Sequence, residues 1–129
     1  MLRIGSSLQN LTIMSIQVGY PIGSATTPII NPHNLTIAGF FVKAADIPEP
    51  AVLVAQDIRE ISGNRIVIDS ADDISPAEDL IRMKDILLIN YEIPGKKVVT
   101  ESNRTLGKAE DFIVNDTDLV VQKIHVAKS

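Results

Sequence analysis

Residues 97–126 restate residues 13–42 at an offset of about 84 positions, and this internal repeat constrains the fold more than any other feature of the chain. Gly23 falls on Gly107, Ala25 on Ala109, Ile29 on Ile113, Asn31 on Asn115, Leu35 on Leu119 and Val42 on Val126. Ile22/Leu106, Ile30/Val114, Ile37/Val121 and Phe40/Ile124 exchange one apolar side chain for another. Both copies carry β-branched and apolar runs broken by Asn-rich turns, the pattern of strands rather than helices. A duplicated strand unit implies duplicated environments, so Ile29, Ile37, Ile113 and Val121 are all expected in the core.

In chain order, a short flexible lead precedes a strand at residues 11–16. Val18-Gly19-Tyr20-Pro21 punctuates, and a second strand covers residues 22–30. Asn31-Pro32-His33-Asn34 is a turn in which Pro fixes φ and Asn tolerates the left-handed region. Residues 35–42 form a third strand, apolar on both faces and therefore sandwiched. The loop Asp46-Ile47-Pro48-Glu49-Pro50 leads to strands at residues 52–54, with a continuation into 56–61, and at 65–68. Ser62-Gly63-Asn64 supplies a hairpin connection between the last two. Six strands would then complete a first barrel near Asp69. In the second copy, Val98-Val99 is a short strand, Asn103 takes positive φ in a tight turn, and strands follow at residues 106–114 and 119–126. The organisation expected is a first unit at residues 1–74, a connecting helix at 75–90 and a second, partial unit at 91–129.

Residues 69–79 are the densest acidic stretch. The alternating carboxylates, central Gly and closing Glu of a helix-loop-helix calcium site are not in register there. A helix start explains the stretch better: Ser75 as N-cap, Pro76 at the first position and Glu78 at the third make a capping box, and Asp79 favours the positive end of the dipole. The spacing predicts a helix over residues 76–89, with Leu80, Met83 and Leu87 on one stripe and Glu78 and Arg82 paired on the other side.

Composition narrows the function. At 129 residues and 45% hydrophobic content the chain holds one compact core, or a small barrel and part of another. The absence of Cys removes disulfides, thiolate metal sites and Cys nucleophiles, and fits a reducing compartment. A net charge of -4 with scattered cations argues against direct nucleic-acid binding. No charge falls between Arg3 and Lys43, yet Gln, Asn, Gly and Pro interrupt every window of about 20 residues that a spanning helix needs, so no membrane span is expected. No secretory signal is visible, and the expected location is cytoplasmic. His125, beside Glu110 and Asp111 on the neighbouring strand, could be drawn as a base and its orienter, but no nucleophile or phosphate loop accompanies it. His125 and His33 read as surface residues. No catalytic residue, cofactor-binding residue or metal ligand is expected.

The run 97–114, with its Ser-Asn-Arg turn followed by Leu106-Gly107-Lys108 and Glu110-Asp111, resembles the PRC-barrel family. This small β-barrel is shared by the cytoplasmic part of the photosynthetic reaction-centre H subunit and the C-terminal part of the ribosome-maturation factor RimM. The resemblance extends to the strand Asp57-Ile58-Arg59-Glu60-Ile61 and to the acidic linker, and it is clearest in the second copy, because the first has lost the corresponding charges. It implies a mainly β fold: a small PRC-type barrel, a connecting helix and a second three-stranded half unit. It also implies a non-enzymatic adaptor or assembly role through protein contacts. A ribosome- or RNA-maturation factor binding a ribosomal protein is the alternative, and a small-ligand-binding domain the third.

A lone three-stranded half unit would expose an apolar face and two unpaired edges. The connecting helix or the charge-free surface of the first barrel could cover it within one chain. The favoured expectation is a homodimer in which two half units meet, with Val114, Val120 and Ile124 as the candidate protein interface.

Overall fold

A computed structural model describes residues 1–128 as a mainly β protein of two sheets. In the first copy, β2 (Leu11–Ser15), β3 (Pro21–Asn31) and β4 (Thr36–Ala44) form a meander. β5 (Ala51–Val54) extends it on one side and β8 (Ile74–Pro76) follows; β7 (Arg65–Ile68) and β6 (Ile58–Ser62) extend it on the other. The sheet order β6-β7-β2-β3-β4-β5-β8 curls into a half-barrel, and its β2–β7 pairing is parallel. The second sheet sets β1 (Leu2–Ile4) and β11 (Val121–Ala127) on opposite edges of β10 (Thr105–Asn115), with β9 (Lys97–Val99) beside β1 on the same edge.

Local sequence accounts for most elements. In β2 the side chains of Leu11, Ile13 and Ser15 alternate inward, and in β7 Ile66 and Ile68 do, as a two-residue period requires. Gly63 at φ 58 opens a two-residue hairpin between Ser62 and Arg65, the type II′ geometry that matches strand twist. Asn103 turns at φ 65, as its residue type allows.

Several expectations need correction. The first copy does not close a barrel, because β6 and β8 end an open sheet. A 3-10 turn at Ala55–Asp57 separates β5 from β6, so residues 52–61 are not one continuous strand. The supposed flexible lead is β1 and a 3-10 turn (Gly5–Ser7), with Leu8 fully buried behind them. Ser75 caps no helix. It lies in β8 opposite Val52, and the ladder from Leu53↔Ile74 to Ala51↔Pro76 shields one edge of the sheet. The capping box forms earlier: Ser70 Oγ accepts from Asp72 N at 3.2 Å and Asp73 Oδ2 accepts from Ser70 N at 3.4 Å. After β8 come two 3-10 turns (Ala77–Asp79 and Ile81–Met83) and only a short helix, α1 (Lys84–Ile89). Glu78 and Arg82 sit in separate turns and form none of the ion pairs of the described residues. The apolar stripe survives, since Leu80, Met83 and Leu87 pack with Ile29, Val52 and Phe41 on the outer face of the half-barrel. β4 is thereby sandwiched as expected.

The two hairpins, β3–β4 and β10–β11, reproduce each other in detail. Leu35 and Leu119 both take the left-handed region, at φ 50 and 59. Asn31 Oδ1 accepts from His33 N at 2.9 Å, and Asn115 Oδ1 accepts from Thr117 N at 2.8 Å. Registers slip at matching places: Thr26 and Glu110 are each the extra residue of one bulge, Ala38 and Gln122 of the other. The bulge at Ala38 explains why Ile37, Phe40 and Val42 share the main core while Ala38 and Phe41 face outward, instead of strict alternation along β4.

The hairpins meet about a pseudo-twofold axis. Ile37 N donates to Leu119 O at 2.8 Å and Val121 N donates to Leu35 O at 2.9 Å. Thr36 bridges Val120, its own counterpart in the repeat. Ala109, Phe112, Val114 and Leu119 from the second sheet join Leu8, Ile13, Phe40 and Ile66 in one core. The cover sought for the second unit in another copy is supplied within the chain. Equivalence is not complete, however. Ile29 and Ile37 are buried but Ile113 and Val121 are half-buried, because the linker that covers Ile29 has no counterpart over Ile113.

Candidate functional site

The asymmetry between the halves leaves a cleft beside β3. At the repeat offset, β1 corresponds to residues 86–88, which lie in α1. β1 adds to the edge of β10 in the register Leu2↔Asn115, Arg3↔Val114 and Ile4↔Ile113. On β3, β2 pairs only from Pro21 to Ala25. Among the described residues no strand flanks residues 27–31 on that side, and the helix places Ile86 and Leu87 against Ile29 instead. A helix cannot complete a ladder, so a cleft of about 340 Å³ remains between α1, residues 90–94, β3, the 3-10 turn at Gly5–Ser7 and β10.

Its walls contain positions paired at the repeat offset: Ser6 with Asn90, Gln9 with Ile93, Thr27 with Asp111 and Pro28 with Phe112. The cleft therefore straddles the pseudo-twofold axis, with two chemically different walls. The wall from the first copy is neutral. The other carries Glu92, Glu110 and Asp111, and no Lys or Arg is among the lining residues. Asp111 Oδ1 accepts from Ser6 N at 3.2 Å and from Phe112 N at 2.8 Å, which fixes the carboxylate at the cleft wall. The Phe112 ring lies where a Cβ on Gly5 would project, so that position admits only glycine without rearrangement. The Lys96 ammonium stands 5.0 Å from the centre of the Tyr91 ring and leaves the carboxylates without an ion-pair partner among the described residues.

A second cleft, of about 370 Å³, lies between β6, the start of β1 and the β10–β11 turn. Arg3 crosses it, donating to Gly63 O at 2.6 Å while its guanidinium stands 3.6 Å from Asp116. With their side chains 13% and 10% exposed, Arg3 and Asp116 tie the two copies together. Near the outer edge of this sheet, burial together with Asp73 and Asp69 raises the Asp57 carboxyl above the ordinary aspartate value. Asp69 is held below that value by its bidentate pair with Arg59, at 2.9 and 3.0 Å.

The candidate interface residues are dispersed by depth. Val114 is fully enclosed in the core and offers no side chain to a partner. Val120 is half-buried at the bridge to Thr36, and Ile124 is half-buried against the main core opposite Phe112. His125 is exposed and in register with Asp111, whose Oδ1 is already engaged by two backbone amides. His33 is exposed in its turn. No three His, Asp or Glu side chains converge to hold a metal ion among the described residues, and no helix among them is long and apolar enough to cross a membrane. Ser6, Gln9, Tyr91 and Glu92 were not legible as site residues, although the repeat offset, extended upstream of each copy, pairs Ser6 with Asn90 and Gln9 with Ile93.

No protein-family model and no curated protein matches the chain.

Proposed function

We propose that this chain is a non-enzymatic, tandem PRC-barrel-like assembly module that works in the cytoplasm by holding other proteins. The observation that carries the reading is the pair of hairpins related at the repeat offset, which share turn hydrogen bonds, left-handed leucines and bulges and meet about one axis. Tandem units joined by an acidic linker and helix are what the PRC-barrel resemblance implies, and the members of that family serve mostly as binding or assembly modules. The exposed surface fits such a role. Leu88 and Ile89 on α1 are 73% and 48% exposed, and apolar side chains grouped at one place on a soluble surface mark contact sites.

Affinity capture from a lysate of the source cells, with and without nuclease, tests the reading. Protein partners that survive nuclease are expected. Partners lost on nuclease treatment favour the ribosome- or RNA-maturation role, and the absence of any partner above a control of unrelated protein contradicts both.

A further inference from the structure

The axial cleft has an apolar floor and a one-signed rim. Ile86, Leu87 and Phe41 supply the apolar surface, and Glu92, Glu110 and Asp111 supply the charge. Glu92 and Glu110 are exposed and free of ion pairs among the described residues, so their charges are available to an incoming group. The volume, about 340 Å³, is at the lower end of the range for ligand sites and suits one or two side chains rather than a large cofactor.

From this geometry we infer that the cleft docks an extended segment of a partner protein in which a Lys or Arg side chain alternates with aliphatic ones. The inference rests on the assembly-module reading and names the chemistry of the partner. Charge complementarity selects the cation: a basic side chain entering the cleft meets three carboxylates and no lining cation. The aliphatic neighbours fall on Ile86 and Leu87. The apolar floor of Ile86, Leu87 and Phe41 would stay uncovered beneath a small hydrated cation, which favours a polypeptide carrying apolar side chains beside its charge. At the equivalent place on the other copy the Leu2-Arg3-Ile4 strand lies along β10 at Ile113–Asn115, with Arg3 turned in toward Asp116 and Leu2 and Ile4 exposed.

The test is titration of the isotope-labelled full chain with the peptide acetyl-Leu-Arg-Ile-Arg-Leu-amide, followed by amide chemical shifts, with acetyl-Leu-Glu-Ile-Glu-Leu-amide as the charge-reversed control. Shift changes centred on Ser6, Leu87, Tyr91 and Asp111 are expected with the basic peptide and not with the acidic one. The double variant Glu92→Gln/Glu110→Gln, both exposed positions, should weaken binding roughly three- to tenfold, as the loss of two solvent-exposed charge contacts does. Shift changes located elsewhere, equal responses to the two peptides, or unchanged affinity in the variant overturn the inference. The same variant in the nuclease-treated capture separates it from the broader reading. Protein partners held equally by wild type and variant overturn this docking site alone; the absence of nuclease-resistant partners of the wild type overturns both.

Discussion

β3 and β10 begin from nearly the same apolar pattern, yet one is flanked by a helix and the other by a strand. On β10, residues 2–4 complete the edge by hydrogen bonding. On β3, the corresponding stretch of the repeat is α1, which covers Ile29 by side-chain packing and leaves the edge at residues 27–31 without a strand among the described residues. The difference shows which part of a repeat is specified from within. Turns, bulges and the axial contacts are duplicated because the hairpin residues themselves demand them. What flanks the hairpin depends on sequence outside the matched segments: Leu2-Arg3-Ile4 alternates, whereas Lys84–Ile89 begins after two 3-10 turns and ends on Asn90 in the left-handed region. The cleft lies where the symmetry breaks.

The largest effect expected from breaking this comparison is in the core. Phe40 is fully buried while its counterpart Ile124 is half-buried. Phe40→Ala should cost about 3–5 kcal/mol, and Ile124→Ala less than about 2 kcal/mol, in chemical denaturation. Similar costs at the two positions would mean that both copies are buried alike.

The hairpin glycines come next. A Cβ at Gly23 would stand 2.5 Å from Lys43 O, and one at Gly107 would collide with Ala127 O, the matching carbonyl. Gly107 alone also has a φ of 145, a conformation that costs an L-residue about 1–3 kcal/mol. Gly107→Ala should therefore destabilise more than Gly23→Ala, by about that margin. A reversed order, measured by thermal unfolding at equal scan rates, contradicts the conformational difference.

Much of this was legible in the sequence. Strand positions, the Asn turns and the repeat offset follow from local chemistry, since β-branched runs and turn residues act over a few positions. The pairing partners were not legible, because register between distant segments is set by the assembled core rather than by neighbours in the chain. Leu2–Ile4 looked like a lead because an alternation of three residues is too short to mark a strand by itself, and pairing with β10 makes them one. Ser75-Pro76 resembled a helix start because the same residues suit a cap, but pairing with Ala51 and Val52 takes them into the sheet. Glu110 and Asp111 were visible as a charged pair. Glu92, far from both in the repeat pattern, reaches them only through the fold.

The linker, which joins the copies and has no repeat partner, gives the next prediction. Ser70→Ala should cost about 0.5–2 kcal/mol, as the loss of a capping side chain does. Ser75→Ala, in a strand whose ladder uses only backbone groups, should stay within about 0.5 kcal/mol. The opposite ranking would restore a helix at residues 76–89.

The smallest effect is a pH dependence confined to the first copy. Because burial and neighbouring carboxylates raise the Asp57 pKa in the folded chain, the unfolded chain ionises first as the pH rises. Folding stability contributed by this group therefore falls as pH climbs from the ordinary aspartate range through the raised one, and stays lower above it. Asp57→Asn should remove that fall and leave the variant equal to or slightly more stable than wild type at neutral pH, by less than about 0.5 kcal/mol. A variant clearly less stable at neutral pH would show that ionised Asp57 is favourable in the fold.

The central claim, that the two hairpins form one cooperative core about a pseudo-twofold axis, is tested most directly by native-state hydrogen exchange at Ile37 and Val121. Their amides make the paired contacts across the axis, to Leu119 O and Leu35 O. With increasing denaturant, both should exchange with the same free energy, that of global unfolding. If the Val121 amide exchanges through a separate opening well below the free energy measured for Ile37, the second hairpin is an independent unit and the shared core is contradicted.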